Sequence, residues 1–260
     1  MSRFIILMYH MISDPVNTAE MRYACSPEQL EKHIKMLLET GYTLVNINQV
    51  SDFYTNNLTL PENAALITLD DGFEDNYLNA FPIFKRYKVP AVIYLATGLI
   101  GKTTHAIANS IFTERKMLSW SQINEMSKCG IEFGSHTVSH AKLNLLDDTE
   151  AYQELIDSKK KIEEILGKEC THFAYPYGLL TENTRNLVKK CGFKTACSTR
   201  SGFNNTHRDP LILHRIEVYG TDSVWKLKQK VLFGTNEVSL AYILNYYYSH
   251  FFNKVKEFIY

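Results

Sequence analysis

The chain has 260 residues, 45% of them hydrophobic and 22% charged, with 28 basic and 28 acidic side chains. That length suits one large α/β domain, and a net charge of zero excludes bulk electrostatic attraction to nucleic acid or to an anionic membrane. No apolar run approaches the ~20 residues that span a bilayer, and the five cysteines (Cys25, Cys129, Cys170, Cys191, Cys197) form no Cys-x-x-Cys and read as reduced, partly buried thiols.

In chain order, residues 4–9 form a short apolar run with no small-residue cleavage site behind it. They read as a first strand closing on His10, not as a signal peptide, which predicts a cytoplasmic location with peripheral membrane attachment as the variant. Ser26-Pro27-Glu28-Gln29 then starts a helix, with Ser26 as N-cap, Pro27 at the first position, Leu30, Ile34, Leu37 and Leu38 as the buried stripe, and Gly41 beyond the end. Residues 42–45 make the next strand and 47–54 a short helix. Residues 64–69 are almost wholly apolar and read as a strand buried on both faces. A helix over 76–87 must place Pro82 in its first turns or at a kink, with Asp75 as a possible cap. Residues 91–95 are a further buried strand, and 97–113 read as a loop over the mouth of a site.

Ser119 and Gln122 bracket the start of a helix over 120–128, and a strand follows at 131–133. A long amphipathic helix spans 148–166, with Leu155, Ile162, Ile165 and Leu166 inward. Strands at 172–175, 195–198 and 211–218, with a helix at 184–190, complete a strand–helix alternation that predicts a parallel sheet closed into a distorted (β/α) barrel of about seven or eight strands. The pattern changes near residue 223. Residues 1–222 read as the barrel and 223–260 as a helical extension packing on it, whose aromatic end gives a weaker membrane-interface alternative. The sequons at Asn57 and Asn204 read as chance matches in exposed loops.

Two stretches carry chemistry. The buried strand at 64–69 ends in Asp70-Asp71-Gly72, and two adjacent carboxylates there are costly unless something positive neutralises them. In Gly134-Ser135-His136-Thr137-Val138-Ser139-His140 two histidines stand four apart. If Ser135 opens a helical turn, both share one face and can converge on one ion. Two histidines and an aspartate suit a catalytic zinc or related divalent ion. The zinc-protease Glu after the first His is absent, since Thr137 stands there, and the spare aspartate is the candidate base.

Thr68-Leu69-Asp70-Asp71-Gly72 resembles the Thr-Phe-Asp-Asp-Gly signature of the polysaccharide deacetylases (the NodB-homology group), and His136-Thr137-Val138-Ser139-His140 is similar to their His-Ser/Thr-x-x-His signature. The resemblance covers roughly residues 5–218, with sharp motifs in only a few patches. It implies a metal-dependent hydrolase removing acetyl groups from N-acetylated amino sugars of a glycan, that is, cleaving linear amides. Asp71, His136 and His140 would hold Zn2+, with Co2+, Ni2+ or Mn2+ as alternatives, while Asp70 takes the proton of the attacking water.

Tyr175-Pro176-Tyr177 resembles the family's Arg-x-Pro-Tyr patch, which lines the substrate groove and lends a backbone amide to the oxyanion, here that of Tyr177. Ala174 stands where the family has an arginine that pairs with the catalytic aspartate. Arg215 is the candidate to replace that charge, against the alternative of a surface strand arginine. For the general acid, His214 sits near the family's late histidine, whereas His10 matches the N-terminal Tyr-His of circularly permuted relatives acting on poly-N-acetylglucosamine, which also lack the arginine. His10 is preferred. The alternatives are a catalytically impaired metal- or glycan-binding relative, and a deacylase of O-acetyl, formyl or peptidoglycan substrates.

Overall fold

The computed structural model describes residues 3–106 and 112–239. Its frame is a sheet in which every strand pair is parallel. The strands are β1 (Phe4–Tyr9), β2 (Thr43–Leu44), β3 (Ala64–Leu69), β4 (Ala91–Leu95), β5 (Glu132–Ser135), β6 (His172–Ala174), β7 (Thr195–Cys197) and β8 (Ile216–Glu217), in the order β7-β6-β5-β4-β3-β1-β8, with β2 also pairing β3. Every residue of β1, β3 and β4 is buried, as expected of strands covered on both faces. Leu213 bridges Cys197 of β7, and three residues later the same run pairs with β1, so it links the two edges of the sheet into a distorted (β/α) barrel.

Side-chain alternation sorts the core into two layers. Ile5, Leu7, Tyr9, Ala65, Ile67, Leu69 and Ile216 pack outward under the helices. Phe4, Ile6, Ala64, Leu66, Tyr94, Ala174 and Leu213 fill the interior. Even-numbered positions of β1 and β3, and odd-numbered positions around β8, therefore face the barrel axis. This register places the site.

Helices α1 (Pro27–Glu39), α2 (Ile47–Thr55), α3 (Phe81–Tyr87), α4 (Trp120–Lys128), α5 (Asp148–Leu166), α6 (Glu182–Lys190) and α7 (Val224–Phe233) cover the outside. Ser26 accepts from the Gln29 amide, and α4 and α5 open on full capping boxes at Ser119 and Asp147. On α1 the stripe is Leu30, His33, Ile34 and Leu37, an i, i+3, i+4, i+7 face. Leu38, expected inside, lies one step past that face and is 42% exposed.

The helix expected over 76–87 is instead a π-helical turn, Asn76–Ala80, followed by α3. Pro82, whose missing N–H and ring would disrupt an unbroken α-helix, falls just past the junction where the π-helical turn runs on into α3. Asp75 makes no cap; its carboxylate accepts from the Ile12 amide at 2.9 Å and ties this turn to the loop after β1. The strand expected over 211–218 is regular only at Ile216–Glu217. Asn204 is wholly buried, hydrogen-bonded through Nδ2 to the His214 carbonyl, so its sequon is not in an exposed loop. Cys129 is exposed and the other four cysteines are buried, all as free thiols.

α7 packs Leu227 and Val231 into the outer core, and its buried Lys230 donates to Asp222 Oδ2 at 2.5 Å and to the Glu217 carbonyl at 2.9 Å. The aromatic tail from residue 240 onward lies outside the described residues. Among the described residues no helix is long and apolar enough to cross a membrane.

Candidate active site

The ends of five parallel strands converge on one cavity of about 370 Å³. It is lined by Met8 of β1 and His10 just after it, Asp70 and Asp71 after β3, His136 and His140 after β5, Tyr175 and Tyr177 after β6, and Glu217 of β8, with Arg22, Tyr23, Phe112, Thr199 and Asn236 from loops. All lie at the C-terminal face of the strands, where loops are free to carry function while the barrel stays rigid.

Asp70 and Asp71 take opposite directions because the chain turns sharply between them. Asp70 continues the interior-facing register of β3, its amide still held by the Tyr9 carbonyl at 3.0 Å. Asp71 (φ 75°) and Gly72 (φ 84°) are then both left-handed. A Cβ at Gly72 would also stand 2.9 Å from Leu95 Cδ2, so this turn needs glycine there.

Asp71, His136 and His140 offer three ligand atoms within 4.8 Å of one another. The convergence does not come from a helical turn opened by Ser135. Ser135 ends β5, and the loop beyond brings the rings together through left-handed Thr137 (φ 68°) and His140 (φ 60°). Such a conformation costs of order 1–3 kcal/mol per non-glycine residue and must be held from outside. Glu154 of α5 does so, its carboxylate accepting from the amides of Val138 and Ser139 at 2.8 and 2.9 Å and from Ser139 Oγ at 2.8 Å. The Gly98 amide donates to the Val138 carbonyl at 2.7 Å from the other side. Nothing in the motif itself pointed to Glu154; its only sequence signal is an acidic side chain on α5 one turn before Ser158.

The donor set fits a divalent cation. His136 Nδ1 lies 2.7 Å from the Ala174 carbonyl, which can only accept, so the ring's proton is fixed there and Nε2 is turned toward Asp71. Asp71 Oδ1 lies 3.5 Å from His136 Nε2 and 3.2 Å from His140 Nε2, is buried, and makes no hydrogen bond. A neutral ring would set lone pair against lone pair, and only a proton or a metal ion relieves that. Without an ion, the proton is favoured: burial opposes the imidazolium of His136, but Asp71 and Asp70 outweigh it and raise its pKa above the ordinary histidine value. Burial likewise pushes Asp71 up, while His140 and His136 pull it well below the carboxylate range.

Asp70 has a different partner. Arg215, wholly buried, reaches its two carboxylate oxygens at 2.6 and 2.7 Å and also donates to the Ser198 carbonyl at 2.9 Å. Burial raises the Asp70 carboxyl, but Arg215 and His136 more than offset it, so Asp70 stays ionised. Arg215 is thus no surface strand residue, and the positive charge missing at Ala174 arrives from the residue just before β8.

The two histidine candidates separate by register. His10 faces the cavity, its ring edge-on to Tyr23 at 5.1 Å. His214 lies between interior-facing Leu213 and Arg215, so its ring turns away from the cavity. It packs against Gly202, and burial with Arg208 and Arg200 nearby lowers its pKa. Tyr175 is buried, its hydroxyl donating to the Leu211 carbonyl at 3.1 Å, while Tyr177 (φ 58°) half-covers the site with its ring 4.5 Å from that of His140. Three of the seven left-handed non-glycine residues among those described, Asp71, His140 and Tyr177, line this one cavity, and a fourth, Thr137, lies in the loop that carries His140.

Residues 57–196 match the family model described as polysaccharide deacetylase. The chain belongs to the polysaccharide deacetylase family. Relatives of this chain include the YxkH protein of Bacillus subtilis (strain 168), 31% identical over 213 residues, 82% of this chain and 70% of that one. The poly-beta-1,6-N-acetyl-D-glucosamine N-deacetylase of Staphylococcus aureus (strain MSSA476) is 30% identical over 181 residues, and the match spans 66% of this chain and 60% of the staphylococcal protein. Among solved structures, the Streptococcus pyogenes deacetylase PplD in complex with acetate superposes with a TM-score of 0.76 at 27% identity, covering 88% of this chain and 98% of that one. IcaB from Ammonifex degensii gives 0.76 at 25% identity, covering 89% and 97%.

Proposed function

We propose that this deacetylase removes acetyl groups from N-acetylated amino sugars of a glycan with the help of a divalent ion, most simply Zn2+. The observation that carries the reading is one cavity holding two carboxylates with divided roles: Asp71 beside two imidazoles, and Asp70 clamped by Arg215. Asp71, His136 and His140 would hold the ion, which when bound acidifies water and polarises the acyl carbonyl.

Asp70, kept ionised and oriented by Arg215, accepts the proton of the attacking water. Because Arg215 fixes both carboxylate oxygens, Asp70 cannot rotate to become a further ligand. Tyr177 lines the site, and its backbone amide would donate to the developing oxyanion, an interaction worth about 3–4 kcal/mol. His10 returns a proton to the leaving amine, and Tyr175 and Pro176 hold the wall that carries Tyr177. An N-acetylated sugar is favoured over O-acetyl, formyl or peptidoglycan groups by the name of the staphylococcal relative.

The test is an acetate-release assay on β-1,6- and β-1,4-linked N-acetylglucosamine oligomers, with zinc content measured in parallel. Wild-type chain releases acetate and loses it on chelation. Asp70→Asn retains zinc and releases none; persisting turnover in that variant would remove Asp70 from the role of base.

A further inference from the structure

Register puts one more charged group at the mouth. Arg215, just before β8, and Glu217 of β8 are two apart and share one inward face, so Glu217 stands one step above the Arg215–Asp70 pair, beside Met8 of β1 and hence close to His10. Its side chain is only 7% exposed, yet it lines the cavity. Arg22 forks onto its two oxygens at 2.8 and 2.6 Å, and Asn236 Oδ1 accepts from the Glu217 amide at 2.8 Å. Below this polar edge lies an aromatic wall, with Tyr23 edge-on to His10 at 5.1 Å and to Phe112 at 5.3 Å.

A buried carboxylate facing a cavity is costly unless its remaining lone pairs find donors. The Arg22 fork occupies one direction on each oxygen, so Glu217 keeps acceptor capacity at a cavity that it lines. Planar carboxylate, guanidinium and amide groups beside aromatic faces are the chemistry that recognises a sugar: vicinal hydroxyls pair with the polar groups while the ring's apolar face lies on an aromatic side chain. The proposed reaction also fixes direction. A proton from His10 must reach the nitrogen attached to the sugar, so the sugar ring lies on His10's side of the site and the acyl group on the side of Asp71 and the two histidines.

We infer that Arg22, Glu217 and Asn236, with Tyr23 and Phe112, form the subsite that holds the hydroxyls and ring of the N-acetylated sugar, making Glu217 its specificity-determining residue. This rests on the deacetylase reading above. Arg22 fixes the Glu217 carboxylate in place, and its own side chain, 53% exposed, closes the outer side.

The experiment compares two probes on the full-length, zinc-loaded chain. One is the affinity of a β-1,6-linked N-acetylglucosamine tetramer, titrated calorimetrically in an Asp70→Asn background that prevents turnover. The other is inhibition of the otherwise unmodified chain by acetate, which carries the acyl end alone. Adding Glu217→Gln is expected to weaken the tetramer at least tenfold while shifting the acetate inhibition constant less than twofold, at unchanged zinc content. Arg22→Gln, altering a half-exposed side chain, gives a smaller loss of the same kind and keeps the test open if Glu217→Gln folds poorly. Equal weakening of both probes would make the pair a mere tether and overturn the subsite, and so would an unchanged tetramer affinity. A wild-type chain that binds the tetramer in a Glu217-dependent way but never releases acetate would instead retain the subsite and sink the deacetylase reading.

Discussion

Arg215 and Asp70 are 145 residues apart in sequence, yet they meet through two hydrogen bonds of 2.6 and 2.7 Å with both side chains buried. Arg215 is wholly shut off from solvent and Asp70 nearly so, so the pair stands or falls together. Arg215→Met should destabilise the chain by about 3–5 kcal/mol, because it leaves a buried carboxylate unpaired. Arg215→Lys should restore only part, lacking the planar fork. Adding Asp70→Leu to Arg215→Met should recover most of the stability, with no activity. Urea unfolding of the four proteins reads this out; equal stability of Arg215→Met and wild type would show that the pair is solvated.

The loop that carries His140 is held in a strained shape by one carboxylate. Glu154→Ala removes three acceptor contacts at 2.8, 2.9 and 2.8 Å and should lower zinc affinity about 10–100-fold, as supporting groups around metal ligands commonly do. Competition against a chromophoric chelator measures it. Glu154→Gln, which keeps one carbonyl acceptor, should fall between. A zinc affinity unmoved by Glu154→Ala would mean that the loop is fixed by the Gly98 and Thr97 amides alone, which donate to the Val138 and Thr137 carbonyls.

His10 and His214 make opposite forecasts. Because only His10 faces the cavity, His10→Ala should lower kcat about 10²–10⁴-fold, the usual contribution of a placed general acid. His214→Ala should leave kcat within about threefold and act on stability instead. Reversed results would move the proton donor to β8.

Glu20 gives a pH dependence remote from the proposed metal ligands. It is wholly buried and accepts from Arg115, from both the amide and hydroxyl of Thr113, and from the Val16 amide, tying the loop after β1 to the segment before α4. Burial raises its pKa, but these donors outweigh burial and hold it at about 2. A carboxyl depressed in the folded state contributes stability that is complete above its unfolded value near 4.5 and is lost as pH falls toward 2. The urea midpoint should therefore drop between pH 5 and pH 2.5. Glu20→Gln should cost on the order of 3 kcal/mol at pH 7 and flatten that drop; an unchanged slope would assign it to other carboxylates.

Much of this protein is local and therefore written in the sequence. Continuous apolar runs at 4–9, 64–69 and 91–95 can only be buried on both faces, and Ser119–Gln122 and Asp147–Glu150 satisfy their helix starts within four residues. The Asp-Asp-Gly and His-x-x-x-His patches announced carboxylate and imidazole chemistry, because few other uses need those groups at the ends of buried strands. Tertiary structure decided the rest. Which histidine faces the cavity, and whether Arg215 is solvated or buried against Asp70, depend on strand register, since a one-residue step turns a side chain to the opposite face. The convergence of His136 and His140 depends on left-handed backbone that Glu154, on a helix beyond the loop, makes affordable. Local chemistry named the groups; contacts between residues distant in the chain chose which of them meet, because burial and orientation are properties of the assembled barrel and of no single segment.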